Sequence, residues 1–134
     1  MKRLSTFFLL IALLFTSCGK DENTDSAGHI VVKGTNKLIV SVMHHSMALP
    51  GIRVYLKNNA VEFPGTDVGV YDWHTQSDNS GIASFENLFQ GNYFLYAEGF
   101  DQNVGMNVMG ATPAVINSST VSGNELYVTL YVTE

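Results

Sequence analysis

Between Asp78 and Gly99 the chain reads DNSGIASFENLFQGNYFLYAEG, two turn signals and two strand signals in alternation. In Asp78-Asn79-Ser80-Gly81 the Asp and Asn side chains can bond their own backbone, and Gly81 supplies a positive φ that other residues resist. Ile82 to Phe85 then reads as a short strand, Gly91-Asn92 as a second turn, and Tyr93 to Ala97 as a strand too apolar and aromatic for a loop. A unit of this kind cannot bury its apolar face alone. It demands a second sheet elsewhere in the chain.

The flanking sequence offers the partners. Lys37 to His45 alternates, with Leu38, Val40, Val42 and His44 on one face and Ile39, Ser41, Met43 and His45 on the other. Pro50-Gly51 is a strong turn dipeptide inside the Ser46–Gly51 connection. Ile52 to Lys57 sends Ile, Val and Leu inward and Arg53, Tyr55 and Lys57 outward. Ala60 to Trp73 is a long irregular stretch broken by Pro64-Gly65, and Phe63, Tyr71 and Trp73 within it favour an ordered loop. His74 to Ser77 is a candidate for pairing, Phe100 to Gly110 reads as a second long connection, and Pro113 to Ile116 as a short strand. Glu125 to Thr133 closes the pattern, with Leu126, Val128, Leu130 and Val132 inward and Tyr127, Thr129 and Tyr131 outward. No window sustains a capped helical period. The expectation is all-β: a single seven-stranded antiparallel sandwich of Ig-like type over residues 30–134, long enough for its own core.

Residues 1–17 have a different character. Lys2 and Arg3 precede the apolar run Phe7 to Phe15 and the small residues Thr16 and Ser17, which is the three-part pattern of an export signal. The run falls short of the roughly 20 apolar residues of a membrane-spanning helix. Leu14-Phe15-Thr16-Ser17-Cys18 resembles the lipobox of bacterial lipoproteins, with Phe15 where an aliphatic residue is more usual. The resemblance implies cleavage before Cys18 and acylation of that cysteine, with palmitate-type chains contributing about 0.8 kcal/mol per buried CH₂ to anchoring. Residues 18–29 then read as the lipidated cysteine and a flexible tether, too polar to fold. Lys20-Asp21-Glu22 behind the cysteine resembles the acidic signal that sends lipoproteins of Bacteroidetes-type bacteria to the outer cell surface. The expected location is therefore the outer membrane, by a lipid anchor, facing outward.

From Cys18 onward five basic residues stand against twelve acidic ones, a net charge of −7. That disfavours nucleic acid and anionic headgroups as partners. Cys18 is the only cysteine, so an internal disulfide is excluded.

In order, Leu49-Pro50-Gly51-Ile52-Arg53-Val54, Ser77-Asp78-Asn79-Ser80-Gly81, Phe85, Leu88 and Gly91-Asn92-Tyr93-Phe94-Leu95 resemble the carboxypeptidase regulatory-like domains. These are small transthyretin-like sandwiches. The resemblance covers Leu38 to Gly99, with Glu125 to Thr133 as closing strand, and it implies a non-catalytic interaction or stabilising module. Transthyretin-like sandwiches include a hydrolase ending in Tyr-Arg-Gly-Ser; this chain ends Tyr131-Val132-Thr133-Glu134. Neither Gly-x-Ser-x-Gly nor a nucleophilic cysteine outside the anchor is present. The chain is read as no enzyme, with no cofactor.

Two groups of residues remain as candidate sites. Aromatic residues at outward positions (Tyr55, Phe94, Tyr96, Tyr127 and Tyr131), together with Phe63, Asp67, Tyr71 and Trp73 of the long loop, could receive a glycan or a partner protein; cross-strand pairing within the sheet explains them equally. His44, His45 and His74 are the candidates for a metal. Adjacent strand residues point to opposite faces, so His44 and His45 share a site only if the strand stops there, and His74 or Asp67 and Asp72 would have to arrive from the loop. No dense ligand spacing calls for an ion, and none is expected: His44 caps the core edge and His45 is exposed.

Overall fold

The alternation of Leu38, Val40 and Val42 is the central row of a sheet. A computed structural model of the chain describes residues 33–134; the stretches read as export signal and tether, with Cys18, lie outside the described residues. β1 (Asn36–His44) alternates buried and half-buried along its full length. It is paired on both sides: with β5 (Ile82–Leu88) and the two-residue β2 (Met47–Ala48) antiparallel, and with β8 (Glu125–Tyr131) parallel. The second sheet is antiparallel in the order β4 (Trp73–Gln76), β3 (Arg53–Asn58), β6 (Gly91–Asp101), β7 (Met106–Ile116).

The sandwich is as expected, with two differences. Among the described residues eight strands form rather than seven, because β2 arises within the Ser46–Gly51 connection. One pairing is parallel: Lys37 to Met43 face Glu125 to Tyr131 in step, a contact that needs a long crossover, and strands β2 to β7 supply it. A third expectation fails locally. Phe100 to Gly110, read as a connection because of its Gly and Asn content, is mostly strand: β6 runs on to Asp101 and β7 starts at Met106, with eleven paired positions between them.

The core lies between the sheets. Leu38, Val40, Val42, Leu130 and Val132 from one side meet Val54, Leu56, Leu95, Ala97, Val108 and Ile116 from the other. Each Val, Leu or Ile side chain among them stabilises the fold by about 1.5–3 kcal/mol when fully buried. The turns do the work their residues suit. Asp78 Oδ1 accepts from the Ser80 and Ile82 N–H groups, and Gly81 takes φ +74°. Ser77 Oγ, buried, accepts from the Ile52 N–H and donates to the Leu49 carbonyl, which fastens the Pro50-Gly51 turn to β4.

Candidate functional site

Two places gather the chemistry-bearing residues. The first is the outer face of the β4–β3–β6–β7 sheet. Tyr55 and Tyr96 are opposite one another in the β3–β6 register, and their rings stack with centroids 6.0 Å apart. Expected to face solvent, they are 6 % and 1 % exposed, and Phe94 is 9 % exposed. The cause is the long loop, which folds back over them. Tyr71 stacks on Tyr96 at 5.8 Å and Phe63 packs against Phe94 and Tyr96. Of the outward aromatics considered as a glycan platform, Tyr55, Phe94 and Tyr96 are thus covered by the chain's own residues, whereas Tyr127 and Tyr131 on β8 are exposed as read. Burial and the neighbouring Glu98 carboxylate push the Tyr96 phenol up to about 12.

The loop is held at several points. Asp67 caps the short 3-10 turn Val68–Val70 by accepting from the Gly69 N–H. Tyr71 Oη donates to the Gly65 carbonyl at 2.7 Å. Asp72 accepts from the Asn58 N–H at 2.7 Å and pairs with Lys57 at 3.1 Å; the Asn58 bond first, and Lys57 after it, hold its carboxyl below the ordinary value. Asp67 and Asp72, considered as metal ligands, are therefore engaged in building the loop. Val61, Phe63, Val68 and Val70 remain exposed on it. Trp73, also exposed, pairs with core-facing Leu56 and lines a cleft with Phe85 and Leu88, on the opposite face from Tyr71. His74 lies opposite Tyr55, with ring centroids 5.9 Å apart.

The second place is one end of the sandwich, where β1 stops. His44 is buried at the strand's last position. His45 and Ser46 take φ +47° and +66°, so the backbone reverses at once into β2. This turn removes the strand geometry that would separate the two rings, and their centroids lie 4.0 Å apart. His44 Nδ1 is 2.9 Å from Asp101 Oδ2, and Asp101 is itself buried. His44 Nε2 is 2.8 Å from Glu134 Oε2, and His45 Nε2 is 3.6 Å from the same oxygen. The bond to Asp101, reinforced by Glu134 and opposed by burial, raises the His44 pKa above 6.5. Asp101 is held below its ordinary value chiefly by His44, and Glu134 by its own backbone N–H and then by His44. The cluster borders a cleft of about 450 Å³ shared with Ser46 and Tyr131.

Asp101 and Glu134 were not anticipated. Asp101 sat in a stretch read as connection, and Glu134 beyond the last expected strand residue. Both nevertheless continue a period of two: Tyr93, Leu95, Ala97, Gly99, Asp101 and Leu126, Val128, Leu130, Val132, Glu134. His74, one of the residues that would have had to join His44 and His45 in a metal site, belongs instead to the other sheet, against Tyr55.

The fold has counterparts among solved structures. The major pilin subunit BcpA of Bacillus cereus is 13% identical over 75% of this chain and 30% of its own, with a TM-score of 0.50. The group B streptococcus pilus 2b backbone protein is 16% identical over 73% of this chain and 40% of its own, also at 0.50. This chain thus spans well under half of either pilin. A Pseudomonas aeruginosa protein covered over 90% of its length reaches only 0.45, too loose a superposition to bear on function. No family profile matches the sequence, and no curated protein does.

Proposed function

We propose that this chain is a surface-displayed bacterial lipoprotein whose single sandwich is a non-catalytic interaction module, presenting the 59–72 loop to a partner protein. The observation that carries the reading is the construction of that loop. Five aromatic rings seat it, Phe63 among them, Asp72 clasps it to β3, and Val61, Val68 and Val70 are left facing outward. Ordered loops on a rigid scaffold are where binding residues concentrate, and exposed apolar groups on such a loop suit a contact surface. The outward residues of this loop are mainly aliphatic, whereas the tyrosines beneath it, Tyr55 and Tyr96, which could stack on sugar rings, are covered. That favours a protein partner over a glycan.

Support for the anchor is the Leu14–Cys18 pattern and the polar stretch behind it. The finer assignment to the carboxypeptidase regulatory-like sandwiches rests on Pro50-Gly51, Ser77 to Gly81 and Gly91-Asn92-Tyr93, each at a turn or in the core. Palmitate labelling of the full chain is expected in wild type and absent in Cys18→Ala; equal labelling overturns the anchor. For the docking face, a photo-crosslinking residue at Val68 on intact cells is expected to give a discrete adduct that one at Thr129, on the opposite sheet, does not give. Adducts at both positions or at neither overturn the reading. Saturable binding on a glycan array would replace protein by glycan.

A further inference from the structure

Two carboxylates and a second imidazole converge on the His44 ring, and each has a different exposure. Asp101 is buried against Nδ1; Glu134 and His45 stand at the Nε2 side with side chains 43% and 60% exposed. We propose that His44 Nε2, His45 Nε2 and a Glu134 carboxylate oxygen form a three-ligand site for one divalent transition-metal cation of the Zn²⁺ type, with a coordination position left open to solvent.

The geometry fits the donor set. The three ligand atoms lie within 4.8 Å of one another. In a tetrahedral site with bonds of about 2.0–2.1 Å, neighbouring ligand atoms stand about 3.3 Å apart. The observed 2.8 Å and 3.6 Å separations to Glu134 Oε2 bracket that value. Small rotations of two exposed side chains would admit the ion, while His44 is already fixed.

Asp101 fixes it. By accepting from Nδ1–H at 2.9 Å, its carboxylate selects the tautomer whose Nε2 lone pair faces Glu134 and His45. A carboxylate behind a metal-binding imidazole orients the ring and makes it a stronger ligand. Charge also matches: Asp101 and Glu134 together offset the two positive charges of the cation. Two imidazoles and one carboxylate favour borderline ions over Mg²⁺ or Ca²⁺, which prefer all-oxygen shells. Ser46 and the reversed backbone at His45 make the arrangement accessible, since a continuing strand would have turned His45 to the other face.

Calorimetric titration of the full chain in detergent with Zn²⁺ alone tests the site, with Co²⁺ absorption as a second readout. Wild type is expected to bind saturably and to give the visible band of four-coordinate Co²⁺. His45→Ala and Glu134→Gln, both at exposed side chains, are expected to lose one equivalent or weaken at least tenfold while keeping the wild-type circular dichroism. Asp101→Asn should weaken binding by about 10–100-fold, and His74→Ala should change nothing. Absence of saturable heat overturns the site, because a shared proton alone then joins His44 to Glu134. Binding unchanged in both His45→Ala and Glu134→Gln, or lost in His74→Ala, overturns it as well.

Discussion

His44 and Asp101, 57 residues apart in sequence, meet at 2.9 Å where β1 and β6 end, and both are buried. A charged imidazole there is favoured by the carboxylate, which sets a sign on the pH dependence of stability. His44 is raised above 6.5 in the folded chain, so its contribution is fully present below 6.5 and is lost as pH rises through the raised value. Asp101 is lowered below 3.8, so its contribution is present above 3.8 and is lost as pH falls through the depressed value. These are two sides of one interaction. In chelator, the melting temperature of wild type should exceed that of His44→Gln most between 3.8 and 6.5. The gap should narrow on the alkaline side without vanishing, because neutral His44 still donates from Nδ1. A gap that widens above 6.5 would show that His44 is held neutral.

Gly81 tests the turn that identifies the strand pair. Its φ is +74°, and a Cβ placed on it would stand 2.9 Å from both the Ala48 Cβ and the Leu49 nitrogen. Gly123 shares the positive φ, at +57°, with open space around it. Left-handed backbone alone disfavours an L-residue by roughly 1–2 kcal/mol, and overpacking adds about 1–3 kcal/mol. Chemical denaturation should therefore show Gly81→Ala less stable than Gly123→Ala by at least about 1 kcal/mol. Equal losses would mean that β2 moves aside freely.

Ser77 joins three backbone segments through one hydroxyl. Replacing it with Ala strands the Ile52 N–H and the Leu49 carbonyl in a buried position. A buried group left unpaired destabilises by about 1–3 kcal/mol, a loss readable in the urea midpoint at unchanged slope. Ser77→Thr keeps the hydroxyl and should recover most of it. If Ser77→Ala melts like wild type, water has replaced the hydroxyl.

Most of the fold was legible because period-two alternation and turn chemistry are local signals. Leu38 to Val42 and Leu126 to Val132 declare a core face by themselves. β7 was legible only at its end, Pro113 to Ile116: Gly105 just before it and Gly110 within it weaken the strand signal of the first part, and pairing with β6 overrides that local preference. The aromatic face misled for a related reason. Tyr55 and Tyr96 occupy outward positions as read, and only tertiary structure reveals that the loop returns to cover them. The His44 cluster was half legible. Three core-facing rows, through Val42, Ala97 and Val132, each end on a polar residue: His44, Asp101 and Glu134. A polar residue at the end of a buried row needs a partner, yet which rows end together is fixed by the parallel β1–β8 pairing, a long-range fact that no local pattern contains.

Tyr71 decides whether the loop is a fixed surface or a loose one. Its ring stacks on Tyr96 and touches Tyr55, and its hydroxyl closes the loop through Gly65. Tyr71→Ala removes both anchors while leaving the core between the sheets unchanged. Truncating an aromatic side chain in a full core would destabilise by about 3–5 kcal/mol; this half-buried site at the sheet's outer face should give less, about 1–2 kcal/mol. Local opening should increase by more than global stability falls, because the loop's other ties are the half-exposed Phe63 ring and the exposed polar contacts of Asp67 and Asp72. Limited proteolysis is expected to nick Tyr71→Ala within residues 59–72 under native conditions where wild type resists, with Tyr71→Phe between them. Cleavage spread evenly over the chain would instead show that the aromatic cluster stabilises the whole sandwich.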